Sequence, residues 1–166
     1  MSDNTDYTEI LADAVLVANN QNNAANVLQV ICNLLVDKLE TCDWAGFYIV
    51  NPNLPNELLL GPYCGAPTEH VRIPFGFGIC GQTANTKKTF IVKNVADEEN
   101  YLSCSPDVKS EIVVPIFHEG VFIGELDIDS HRTHSFSNDG KLLFEKTAAL
   151  AALHLSQIQE SMSRNE

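Results

Sequence analysis

Two stretches near the start of the chain place apolar residues every third or fourth position. Ile10, Leu11, Ala14, Val15 and Ala18 form the first stripe and predict a helix from about Asp6 to Ala18, with Asp6 and Glu9 spaced as a capping box. After the polar break Asn19-Asn20-Gln21-Asn22-Asn23, the stripe Val27, Leu28, Ile31, Leu34 and Leu35 predicts a second helix from about Ala24 to Leu39. The period then shortens to two. Trp44 to Val50 is aromatic and β-branched, the turn residues Asn51-Pro52-Asn53-Leu54-Pro55-Asn56 follow, and Glu57 to Tyr63 reads as the returning strand. Val71-Arg72-Ile73 is a short strand, Thr83 to Lys88 a short helix, and Phe90 to Val92 another strand. The polar run from Ala96 to Lys109, broken by Pro106, reads as a surface loop of a length that is usually functional or mobile. Glu111 to Phe117 and Val121 to Ser130 form a hairpin, and Ser137 caps a last helix from about Asn138 to Ser161.

This order lacks alternating βα units, so a doubly wound parallel sheet does not fit. The pattern predicts one α+β domain over residues 1–166. An antiparallel sheet of about six strands, residues 43–130, would carry the helical segment 6–39 and the helix 138–161 on one face.

The last strand holds the candidate chemistry. In Gly124-Glu125-Leu126-Asp127-Ile128-Asp129-Ser130, Leu126 and Ile128 share one face with Phe122, while Glu125, Asp127 and Asp129 share the other, about 7 Å apart. Such a row is either a solvated edge that discourages aggregation or a site for a cation. A three-residue loop His118-Glu119-Gly120 would pair Phe117 with Val121 and set Glu111 opposite Asp127; a two-residue loop would send Glu111 to the other face. Four carboxyls on one patch would repel, raising the pKa of at least one and leaving it able to donate a proton.

Charge narrows the partners. Ten basic against 22 acidic residues give −12 at pH 7, with no basic stripe for nucleic acid or an anionic membrane. The polar, acidic start Met1-Ser2-Asp3-Asn4-Thr5-Asp6-Tyr7 is unlike a signal or transit peptide. Five unevenly spaced cysteines (Cys32, Cys42, Cys64, Cys80 and Cys104) point to reduced thiols and a cytoplasmic location.

Cys32 fits the core stripe, whereas Cys104 lies between Ser103 and Ser105 in a polar loop, where an unused thiol is a liability. Gly76, Gly78 and Gly81 match G-x-G-x-x-G without the βαβ context of a dinucleotide site. They predict a tight turn opening the short helix, with Cys80 beside free N–H groups that would favour its thiolate. Cys64, His70, Cys80 and Cys104 lack the close pairs of a structural zinc site, so no metal and no bound cofactor is expected. His118, His131, His134 and His154 have no patterned partners.

Trp44-Ala45-Gly46-Phe47-Tyr48, Val71-Arg72-Ile73-Pro74, Gly76-Phe77-Gly78-Ile79-Cys80-Gly81, Ser110-Glu111-Ile112-Val113-Val114-Pro115 and Leu126-Asp127-Ile128-Asp129-Ser130 together resemble the free methionine-R-sulfoxide reductases. These are a branch of the GAF-domain proteins. The resemblance implies a GAF-like fold and reduction of the R sulfoxide of free methionine. By the same resemblance Cys104 is the nucleophile, Cys80 the resolving cysteine, and Trp44, Tyr48, Glu111, Asp127 and Asp129 line the substrate pocket. Thioredoxin would be the external reductant, and a homodimer through the helices is expected. His70 stands where the family commonly has a third cysteine, Cys64 is the alternative resolving thiol, and Glu125 replaces a usually apolar residue. Glu125 is therefore left to the charged-edge reading. The alternative function is a non-catalytic GAF binding module that has lost redox competence.

Overall fold

A computed structural model describes residues 6–20, 23–103 and 105–164. Helix α1 (Tyr7–Asn20) starts where predicted, the Asp6 carboxylate accepting from the N–H groups of Thr8 and Glu9 at 3.0 and 3.3 Å. Helix α2 (Ala24–Lys38) is capped by Asn23, whose side chain accepts from the Asn26 N–H. Its stripe Val27, Leu28, Ile31 and Leu35 is fully buried. Each such side chain contributes about 1.5–3 kcal/mol of burial.

Strands β1 (Trp44–Val50), β2 (Glu57–Cys64), β3 (Arg72–Pro74), β4 (Phe90–Val92), β5 (Ser110–His118) and β6 (Val121–Ser130) form one sheet in the order β3-β2-β1-β6-β5-β4. Every pairing is antiparallel. Helices α1, α2 and α4 (Asn138–Arg164) cover one face around Phe47, Ile49, Ile112, Leu126 and Ile128. The other face carries a smaller core of Tyr48, Leu58, Ile73, Ile79, Cys80 and Val113, roofed by α3 (Gly78–Thr86). The short helix thus begins five residues before the predicted Thr83, straight out of the glycine turn. Gly76 makes this turn at φ +93°, and a Cβ at Gly81 would sit 2.8 Å from the Pro74 carbonyl.

The hairpin register differs from expectation. Glu119 and Gly120, at φ 51° and 79°, make a two-residue turn that pairs His118 with Val121 and Phe117 with Phe122. One step on, Ile116 pairs with Gly124, leaving Ile123 as the extra residue of a β-bulge. The bulge reverses the change of face that the shorter loop imposes. Glu111 therefore stays on the carboxylate face but lies opposite Asp129, not Asp127, whose partner is Val113. It also turns Ile123 toward the helices and Phe122 toward the smaller core, so Phe122 does not share the face of Leu126 and Ile128.

Candidate active site

Strand β6 lies between β1 and β5, so its acids are not on an edge. The carboxylates Glu111, Glu125, Asp127 and Asp129 are all buried, none more than 5% exposed. The charged-edge reading fails for Glu125 above all, since its residual exposure is zero.

Strand β1 supplies the neighbours. Trp44, Gly46 and Tyr48 lie opposite Asp129, Asp127 and Glu125 in turn. The Trp44 indole leans over Gly46, where a Cβ would come within 2.2 Å of the ring, so glycine here is a requirement of the indole's position. The ring stacks on Tyr63 at 5.5 Å, and its N–H donates to the Ala66 carbonyl at 3.0 Å. The Tyr48 hydroxyl donates to the His70 carbonyl at 2.9 Å.

Two small clefts open on this face. The first is lined by Tyr48, His70, Cys80, Leu102, Glu111 and Asp127 among others. The second includes Trp44, Ser105, Asp129 and His131. No lysine or arginine lines either of them among the described residues. A larger groove beside Lys87, Lys88 and Lys141 contains neither a thiol nor a carboxylate cluster.

Electrostatically the site favours protonated acids. Burial raises Asp127 to about 6, opposed by hydrogen bonds with Glu111 and Cys80. Burial also lifts Asp129 well above the usual carboxylate range, with the charge of Asp127 adding to it. Glu125 is raised by burial too, the Cys80 thiol opposing and Asp127 reinforcing. Among the described residues, both Glu125 oxygens, Asp127 Oδ1 and Asp129 Oδ1 are buried without a hydrogen-bond partner.

Cys80 is at the third position of α3 but is not the activated thiolate that the glycine turn implied. Its Sγ donates to Asp127 Oδ2 at 3.4 Å. Burial holds the thiol well above its ordinary value, and Asp127, Glu125 and Glu111 push in the same direction. The nearby carboxylates outweigh the helix N-terminus because they carry full charges in a dry setting. Cys80, Glu111 and Asp127 each offer one ligand atom within 4.8 Å of the others, a spacing that would also fit a divalent cation. With two oxygens and one protonated sulfur, the set is poor for thiolate-seeking zinc and good for an ammonium.

Of the other predicted residues, Cys104 lies outside the described residues. Cys64 packs against the helix-covered core near Cys32 and Asp37, across the sheet from Cys80. The structure therefore does not bring Cys64 to the cleft. His70 does reach it. Its Nε2 lies 2.9 Å from the Ser103 carbonyl and must carry the hydrogen there, tying the β2–β3 connection to Ser103. The sequence reading missed Leu102, Ile79 and Phe77, which wall the cleft; their apolar character in a polar loop and a glycine turn was the available signal.

The profile of the GAF domain matches residues 21–156. The free methionine-R-sulfoxide reductase of Saccharomyces cerevisiae is 37% identical over 129 residues, covering 77% of this chain and 71% of that protein. The chain belongs to the free methionine-R-sulfoxide reductases. The fold is shared with the Neisseria meningitidis reductase of this family, solved in complex with its substrate, at a TM-score of 0.85 and 30% identity over 93% of this chain and 91% of that one. The reduced Staphylococcus aureus reductase superposes at a TM-score of 0.83 with 34% identity, covering 92% and 97%.

Proposed function

We propose that this reductase converts free L-methionine-R-sulfoxide to methionine with Cys104 as the nucleophile. The Cys104 thiolate attacks the sulfoxide sulfur, and one proton from Glu111 goes to the departing oxygen. Methionine leaves and Cys104 becomes a sulfenic acid. Cys80 then attacks that sulfur, releasing water and forming a disulfide, which thioredoxin reduces. Asp127 and Asp129 hold the substrate ammonium, and Trp44 and Tyr48 enclose its methyl-sulfur end. The family relation and the cytoplasmic reading from composition support this assignment.

One observation carries the reading: Asp127 and Asp129, each with a buried carboxylate oxygen that has no partner among the described residues, line clefts that no described lysine or arginine enters. Such oxygens are costly unless a cation arrives. Free methionine sulfoxide has an ammonium and a peptide-linked residue does not, which accounts for selectivity. The helical layer leaves Leu16, Leu142 and Leu153 more than half exposed, which supports pairing of two chains there; sedimentation would give a single-chain mass if it is wrong.

The test compares wild type with Cys104→Ser on free R-sulfoxide, free S-sulfoxide and a blocked peptide sulfoxide. Methionine should form only from the free R epimer and only with wild type. Full turnover by Cys104→Ser would overturn the assignment, and binding without turnover by wild type would leave a GAF binding module.

A further inference from the structure

Helix α3 starts from a turn that its own sequence leaves loosely defined. Gly76 and Gly78 hold φ at +93° and +65°, and glycine leaves such values as easily as it adopts them. The N-cap residue, Phe77, has no side chain that could accept from the first-turn N–H groups. Cys80 is the third residue of this helix, so its place is only as definite as the turn.

The missing cap comes from 22 residues further along the chain. Asn100 Oδ1 accepts from the Gly78 N–H at 2.9 Å, and Asn100 Nδ2 donates to the Gly76 carbonyl at 2.8 Å. The reversed amide would set donor against donor and acceptor against acceptor, so this orientation is the one that pairs. Gln82 Nε2 of α3 donates in turn to the Asn100 carbonyl at 2.9 Å. Beyond it Leu102 lies over Gly78, where a Cβ would come within 2.9 Å of the leucine side chain. Ser103 gives its carbonyl to His70 at 2.9 Å. The segment 100–103 is thus fastened at one end to the turn leading into Cys80 and at the other to the β2–β3 connection. Residue 104 is the next in sequence. Asn100 itself is not among the side chains lining either cleft.

A disulfide closes only when its sulfurs come within about 2 Å and its Cβ atoms within about 4 Å of each other. Bringing together two ends of a flexible loop costs entropy, and a bond from residue 100 to residue 78 bypasses most of the loop between 80 and 104. We propose that Asn100 is a positioning residue for closing the Cys80–Cys104 disulfide: it caps α3 from the distant loop and so fixes the Cys80 turn against the segment that precedes Cys104. In the closing step the Cys80 sulfur bonds to the sulfenic sulfur of Cys104. The S–O bond breaks, and the hydroxyl leaves with the thiol proton as water. This inference rests on the thiol pair of the proposed function.

Fully reduced wild type, Asn100→Ala and Asn100→Asp each receive one equivalent of free L-methionine-R-sulfoxide under rapid quench. Methionine, sulfenic acid trapped by dimedone, and the Cys80–Cys104 disulfide are timed together. Asn100→Ala should release methionine within about threefold of the wild-type rate but close the disulfide about tenfold more slowly, as expected for losing two hydrogen bonds. Dimedone should then capture Cys104. Asn100→Asp keeps the acceptor for the Gly78 N–H and should close faster than Asn100→Ala. A merely loosened fold would slow both steps together, and thermal unfolding of each variant checks for it. The same proteins are also equilibrated with glutathione and glutathione disulfide without substrate, where Asn100→Ala should favour the dithiol about tenfold more than wild type. Closing at the wild-type rate in Asn100→Ala, an unshifted glutathione equilibrium, or methionine release slowed as much as closing would overturn the proposal. If wild type formed no methionine while Asn100→Ala still shifted the glutathione equilibrium, the function assignment would fall and the role of Asn100 would stand.

Discussion

Asp127 joins the chemistry of the cleft to the stability of the domain. Its native pKa of about 6 lies above the unfolded value of 3.8, so between those values the folded chain binds more protons than the unfolded one. Stability from this group is therefore greatest below pH 3.8 and falls as pH rises toward 6. The shift corresponds to about 3 kcal/mol as an upper bound. Asp127→Asn should remove that loss and raise the melting temperature at pH 7; thermal unfolding at pH 5 and pH 7 measures it, and a lowered value at pH 7 would contradict it. The same residue should bind an ammonium only when ionised. Affinity for free methionine should accordingly rise as pH increases through about 6, and Asp127→Asn should weaken it about tenfold to a hundredfold at pH 7. Calorimetric titration across pH 5–8 would show both effects, and a flat profile would exclude an ionised Asp127 as the clamp.

The hairpin and the aromatic strand show what local pattern can and cannot specify. Alternation in Trp44–Val50 and in Gly124–Ser130 made both strands and the acidic face legible, because the side-chain period survives without knowledge of the partner. The register did not follow, since a two-residue turn and a bulge at Ile123 cancel and no residue type announces a bulge there. Burial of Glu125 was hidden for a related reason: whether a strand is central or at an edge depends on distant pairing. The sequence does not reveal the state of Cys80, because proximity to a helix N-terminus is visible in it while the carboxylates that outweigh it come from β5 and β6. Two substitutions probe these elements. Glu119 holds φ 51°, a cost for glutamate, so Glu119→Asn should stabilise by about 0.5–1 kcal/mol in urea unfolding. Gly46→Ala would place a methyl 2.2 Å from the Trp44 ring, displace the indole and destabilise by about 1–3 kcal/mol; an unchanged midpoint would show that the ring is not fixed by this contact.

The whole molecule is acidic and its recognition site is acidic as well. A charge of −12 repels itself, so the melting temperature should rise between about 10 and 200 mM salt as screening grows, and a fall would contradict that account. No described helix is long and apolar enough to cross a membrane. The three helices on one face leave the other for α3 and Leu102, and α3 and β5 bring Cys80 and Glu111 to the buried Asp127 of β6. The proposed reaction uses this face and a thiol pair to reduce free methionine sulfoxide. One equivalent of free L-methionine-R-sulfoxide added to the fully reduced protein, without external reductant, tests it by methionine yield and disulfide mapping together. The expected result is about one methionine per chain, from the one-to-one thiol chemistry, with a Cys80–Cys104 disulfide. No methionine and five unmodified thiols would contradict it.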